Sequence, residues 1–145
     1  MVEQTLALQE KQNYCVCAVL QNIFIKYDIH LSQEDIAKSL TPSEKGFYVD
    51  DKNFYNFMNL VGLKYKYYFH NETPFNEPET LLEEMSNTNG FIGHHNHVYL
   101  LENFKDPIVK MVDPKDNRII SRNLEKLMLN LKSGRGFFGL VKRVE

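Results

Sequence analysis

The residues with the most reactive chemistry are two cysteines, Cys15 and Cys17. The thiolate is the nucleophilic form of cysteine, and at helix N-termini its pKa falls to about 3.5–7.5 in known cases. Cys15 opens an apolar run that extends to Tyr27, so unpaired backbone N–H groups and the helix dipole favour an anion there. Free cysteine is also a common small core residue, so position alone favours packing over catalysis. Gln9 separates the two thiols. It stands six residues before Cys15, whereas Lys11 stands six before Cys17. Acyl transfer needs donors aimed at the oxyanion of its tetrahedral intermediate. The Gln9 amide and the Cys15 backbone N–H would supply two, and Lys11 has no amide to offer. Taken alone, Gln9 reads as an ordinary surface residue.

His97 opens a second apolar run, Val98-Tyr99-Leu100-Leu101, after His94 and His95 in a preceding loop. Asp113 ends the next one, in Val112-Asp113-Pro114. Two strands joined by a turn can set His97 beside Asp113, where a carboxylate would fix the imidazole tautomer and stabilise the imidazolium. A single histidine at a strand start, or a single Asp-Pro turn, is usually structural; the ordered set of Gln9, Cys15, His97 and Asp113 carries the catalytic reading. A metal site is a rival, because His95 and His97 would share a strand face with His94, Asp113 and Cys15 in reach. No Cys-x-x-Cys or His-Glu-x-x-His spacing supports it.

The elements around these residues follow from periodicity and capping. The Cys15–Tyr27 run is apolar nearly all round, the pattern of a helix buried in the middle of a fold, with Asn13 as its N-cap. Ser32 with Asp35 starts a second helix through Leu40, and Pro42 to Gly46 is a loop. Asp50 or Asp51 starts a third, with Phe54, Phe57, Met58 and Val61 on one face and Gly62 as C-terminal cap. Leu63, Tyr65, Tyr67 and Phe69 alternate as on a strand, and Pro78 opens a short helix to about Met85. Short strands are expected at Gly90–Gly93, His97–Glu102 and Val109–Asp113, with turn chemistry in Pro114-Lys115-Asp116-Asn117. Ser121 is expected to cap a helix reaching Leu131, and Gly136 to Val144 to form a closing strand. Helices first and an antiparallel sheet after them make the class α+β.

A chain of 145 residues suits one domain, here 1–145, and no repeat or Gly/Ser linker divides it. A net charge of -2 with no basic run leaves no electrostatic footprint for nucleic acid. No apolar stretch reaches the ~18–20 residues of a membrane span, and the N-terminus lacks the plan of a secretory signal. Direct membrane insertion is therefore not expected, and the location read from the sequence is cytoplasmic. Two cysteines two residues apart cannot staple distant segments, so a disulfide scaffold is excluded.

Gln9, the Cys15 helix, His97-Val98-Tyr99-Leu100 and Asp113-Pro114 together resemble the papain-like peptidases that cut bacteriocin leaders after a double glycine. Those usually form the cytosolic N-terminal domain of ABC transporters. The likeness runs from about Gln9 to Val144, and Ile29-His30-Leu31-Ser32 and Gly136-Phe137-Phe138-Gly139-Leu140-Val141 also match the family's plan. It implies a papain-like fold with Cys15 as nucleophile, His97 as base, Asp113 as its orienting residue and Gln9 at the oxyanion. It further implies a peptide or protein substrate, an ABC transporter as partner, and no metal or organic cofactor. The family usually has an acidic residue before the cysteine and glycine after it; here these are Tyr14 and Val16, and a side chain at Val16 narrows or redirects the groove beside the nucleophile. Papain-like acyltransferases and glutamine deamidases use the same triad, and some transporter domains of this fold only bind peptide, having lost the cysteine that this chain keeps.

Overall fold

The computed structural model of the protein describes residues 7–94 and 97–144. Helix α1 spans Cys15–Lys26, and its residues from Cys15 to Leu20, with Ile23 and Phe24, are all buried. An apolar surface on every side of a helix demands neighbours on every side. Two further helices, α2 (Gln33–Ser39) and α3 (Lys52–Leu60), start where the sequence places them. The Ser32 hydroxyl accepts the Asp35 N–H, and the Asp51 carboxylate accepts the Phe54 N–H, both at 3.0 Å. Gly62, at φ 84°, turns the chain out of α3 in the left-handed conformation that glycine adopts at least cost.

The remaining elements are β1 (Leu63–Phe69), α4 (Pro78–Asn87), β2 (Asn89–His94), β3 (His97–Lys105), β4 (Ile108–Val112), β5 (Ile119–Asn123), α5 (Leu124–Ser133) and β6 (Phe137–Arg143). The strands form one six-stranded antiparallel sheet in the order β1-β6-β2-β3-β4-β5. Side chains alternate across its two faces. Phe91, Val98, Leu100 and Val141 pack with α1, α2 and α3. Ile92, Leu101, Phe138 and Leu140 pack with α4 and α5 on the other side. The α+β class stands, with helices on both faces of the sheet rather than all ahead of it.

Two cross-strand pairs on the β2–β6 ladder depend on missing side chains. Gly93 faces Phe137, and Phe91 faces Gly139. A Cβ on Gly93 would lie 2.2 Å from the Phe137 ring, and one on Gly139 would lie 2.4 Å from the Phe91 ring. Each ring thus lies over the backbone of the neighbouring strand.

Two expectations are corrected. Ser121 does not cap a helix: it lies inside β5, and Asn123 caps α5 by accepting the Glu125 N–H at 3.0 Å. Edge strand β5 is largely exposed, so it lacks the alternation by which a half-buried strand is read. Nor is Asn13 the cap of α1. That position is Tyr14, which makes no side-chain capping bond.

Candidate active site

The missing cap has a chemical consequence. Side-chain oxygens close the starts of α2, α3 and α5, but none closes α1. An absent cap costs a helix about 1 kcal/mol. In exchange, Cys15, the first residue of α1, sits where the helix leaves its amide donors for another acceptor.

The approach to that helix start is fixed by buried amides. Gln33, with no exposed surface, accepts the Glu10 N–H at 2.9 Å and donates to the Leu8 carbonyl at 2.7 Å. Asn22 accepts the Ala7 N–H and donates to the Ala7 carbonyl, at 2.9 and 3.1 Å. Neither was singled out from the sequence; the only signal is a polar residue within or beside an apolar run. The Gln9 backbone N–H donates to the Pro114 carbonyl at 2.9 Å. This bond ties the segment ahead of Cys15 to the turn that carries Asp113.

β3 and β4 are antiparallel with Leu100 opposite Val112, so the start of β3 and the end of β4 lie at the same end of the sheet. There His97 Nε2 donates to Asp113 Oδ1 at 2.7 Å, with the two side chains 27% and 10% exposed. The same carboxylate oxygen accepts the Lys115 N–H at 3.0 Å, and the turn is closed by the Asn117 N–H on the Asp113 carbonyl at 2.8 Å. The Cys15 side chain lies close enough to act on the His97 ring, and both residues line one cleft. Nε2 is committed to Asp113, so Nδ1 is the ring nitrogen left for the sulfur.

The electrostatics of the site single out His97 and Cys17. His97 is raised from 6.5 to about 8, first by the Cys15 hydrogen bond; burial opposes this, while the Asp113 hydrogen bond and the charges of both partners add to it. The Cys17 thiol is pushed up to about 12, by burial first and then by the nearby Cys15 charge. Cys17 is thereby held as an unreactive core group. Tyr99, two residues along β3, meets the His97 ring edge-on at 4.7 Å and 85°, and stacks on His94 at 5.5 Å and 27°. Its place two residues after His97 is the signal available in the sequence, since i and i+2 share a strand face.

Gln9 takes a different place from the one its spacing suggests. Its Nε2 donates to the carbonyls of Lys11 at 3.0 Å and Gln12 at 3.1 Å, and its Oε1 is buried without a partner. Both amide hydrogens are in use, so in this arrangement Gln9 offers an oxyanion no free donor.

Cys15 and His97 open on a cleft of about 750 Å³. Phe47 and Tyr48 form one wall, and Tyr67, Phe69, Phe137 and Arg135 another. Val16 lines the cleft beside Cys15. The first wall belongs to a loop held by the Ser43 N–H on the Gly46 carbonyl at 2.8 Å and the Tyr48 N–H on the Thr41 carbonyl at 3.0 Å. His95, a member of the rival metal set, lies outside the described residues. Among the described residues no group of three or more His, Cys, Asp or Glu is placed to hold a metal ion, and no helix is long and apolar enough to cross a membrane.

No family model and no curated protein matches the sequence. The fold is nonetheless shared with solved structures. A double-glycine-motif protease from an AMS/PCAT transporter, solved with its leader peptide, is similar at a TM-score of 0.73 and 20% identity, over 97% of this chain and 91% of that one. The peptidase domain of Streptococcus ComA, a bifunctional ABC transporter of a quorum-sensing pathway, is similar at 0.70 and 15% identity, over 98% and 100%. UfSP from C. elegans follows at 0.62 and 14%, over 96% of this chain and 32% of that one. The class is thus the papain-like α+β fold, and its neighbours include a double-glycine-motif protease from one transporter and the peptidase domain of an ABC transporter.

Proposed function

We propose that the chain is a papain-like cysteine peptidase, one domain over 1–145, that cleaves a leader peptide after a double glycine, acting on the cytosolic side alone or as a domain of an ABC transporter. The observation that carries this is the His97–Asp113 hydrogen bond, with His97 and Cys15 lining one cleft in which Cys17 takes no part. The shared fold of the two transporter peptidase domains supports the substrate class.

In this reading Cys15 Sγ attacks the scissile carbonyl carbon while His97 Nδ1 takes the thiol proton. Asp113 keeps the ring oriented through Nε2–H and stabilises the imidazolium. The oxyanion forms over the uncapped start of α1 and accepts the Cys15 N–H. Gln9 supplies the second donor by exchanging a carbonyl for the oxyanion. Lys11 is the carbonyl to give up, because it also accepts the Tyr14 N–H at 3.0 Å and stays bonded after Gln9 leaves. The charged oxyanion is the stronger acceptor. The intermediate collapses, His97 protonates the departing amine, and a thioester remains on Cys15. Water, deprotonated by His97, attacks the thioester carbonyl and releases the carboxylic acid and the free thiol. No cofactor enters these steps.

Incubation with a library of helical leaders ending in Gly-Gly, read by mass spectrometry, tests the proposal. Cleavage after the second glycine, abolished by bulky residues in place of either glycine, is expected. A library left intact, while an acyl thioester or a glutamine side chain reacts at Cys15, would transfer the triad to acyl transfer or deamidation. If peptides bind and nothing reacts, the chain is a binding module.

A further inference from the structure

Helix α5 ends in a conformation that normally calls for glycine, and the residue there is arginine. Gly134 is the C-cap, Arg135 follows at φ 55°, and the Gly136 N–H returns to the Leu131 carbonyl. This is the closing pattern in which the left-handed position is usually glycine. The sequence Ser133-Gly134-Arg135-Gly136 has glycine on both sides of that position but not at it. Gly136 is itself constrained, since a Cβ there would lie 2.6 Å from the Leu131 side chain. A side chain kept at Arg135 against the backbone preference needs a reason outside the turn.

That reason lies in the cleft. Arg135 and Phe69 line the same space as Cys15 and His97, and the guanidinium lies over the Phe69 ring, 5.8 Å from its centroid. Stacking fixes the plane of the guanidinium and leaves its edge, with five N–H donors, to other partners. Among the described residues no carboxylate forms an ion pair with it. Asp50 also lines the cleft, and the two charges act with opposite sign on the Tyr67 phenol, which burial chiefly raises. Asp50 and Arg135 thus share the cleft with that ring, and among the described residues they form no ion pair with each other. Lys45 adds a second cation on the rim.

We infer that Arg135 is a specificity-determining residue that takes an acidic side chain of the peptide substrate, near the scissile bond. The inference rests on the peptidase reading. Arginine suits the task because its planar fork matches a carboxylate in two parallel hydrogen bonds. Asp50 repels the same carboxylate from its own part of the cleft, so the pair also sets which side of the groove the acid occupies.

The test is a position-by-position exchange of Glu, Gln and Lys in Gly-Gly peptides, with kcat/KM measured for each peptide on the wild type, Arg135→Gly and Arg135→Glu. Glycine fits the left-handed backbone, so the first variant keeps the turn. The Glu-to-Gln ratio is taken within each variant, so any general loss of activity cancels. At one position the wild type should prefer Glu about fivefold, as for one partly exposed ion pair. Arg135→Gly should bring the ratio to about one, and Arg135→Glu should favour Lys. A ratio unchanged in Arg135→Gly overturns the inference. If no peptide is cleaved, the peptidase reading fails, and alkylation of Cys15 then decides the role of Arg135. The rate ratio of iodoacetate to iodoacetamide should fall about twofold in Arg135→Gly on losing one cation from the cleft; an unchanged ratio overturns the inference.

Discussion

His97 links the proposed triad to a measurable free energy. Its imidazole is held at about 8 rather than 6.5, and the first cause is the hydrogen bond with the Cys15 side chain. A raised value means that the folded protein binds this proton more tightly than the unfolded chain. The resulting stabilisation is fully present below about pH 6.5 and is lost as the pH rises through about 8. At about 1.4 kcal/mol per pH unit, the interval from 6.5 to about 8 corresponds to about 2 kcal/mol. The side chain is 27% exposed, so solvent trims this figure without removing it. Cys15→Ala deletes the largest upward contribution and leaves the Asp113 hydrogen bond against burial, so His97 should titrate below about 8 in the variant. Urea unfolding of both proteins between pH 6 and 9 should show the wild type losing more stability than the variant, within the order of that 2 kcal/mol. Proton NMR of the five histidine rings, assigned with His97→Gln, reads the site directly. Stability curves that run parallel from pH 6.5 to 8, with His97 of Cys15→Ala still at about 8, would refute the coupling on which the catalytic reading stands.

Cys15→Ala is expected to abolish peptide cleavage, while Cys17→Ala keeps most of it and loses about 1 kcal/mol of stability, the scale of one buried group; cleavage by the Cys15 variant would exclude the nucleophile. Asp113→Asn should fold, since its side-chain oxygen can still accept the Lys115 N–H, yet lose about 10²-fold or more in kcat because an amide does not hold the imidazolium as a carboxylate does. Unchanged turnover would remove Asp113 from the mechanism. Gly93→Ala places a methyl group 2.2 Å from the Phe137 ring and should cost about 1–3 kcal/mol while displacing a cleft wall. A denaturant midpoint equal to that of the wild type would show that the ring yields freely.

The sequence by itself identified much of the local structure, because the signals are local. Ser32, Asp51 and Pro78 mark helix starts through their own hydrogen bonds or ring geometry, and Gly62 marks a helix end through its positive φ. The preference for Cys15 over Cys17 was already present in the spacing to Gln9, a relation within one short segment. The exposed edge strand β5 was not legible, because a strand with little buried surface has no alternation to read.

Only tertiary structure decided how the pieces meet. The closing segment β6 inserts between β1 and β2, and no local pattern specifies that pairing. Folding separates the two thiols by place, since Cys15 lines the cleft and Cys17 does not, and burial raises Cys17 to about 12, although both belong to the same apolar run. The β3–β4 register and the turn after Asp113 assign Nε2 of His97 to the carboxylate, which leaves Nδ1 as the ring nitrogen not bonded to it. Gln33, Asn22 and the Pro114 carbonyl anchor the approach to Cys15 from distant parts of the chain. The Gln9 amide, at the right spacing, rests on Lys11 and Gln12. Spacing along a chain fixes which residues can reach one another; which hydrogen bonds they form depends on every donor and acceptor that folding brings into the same volume.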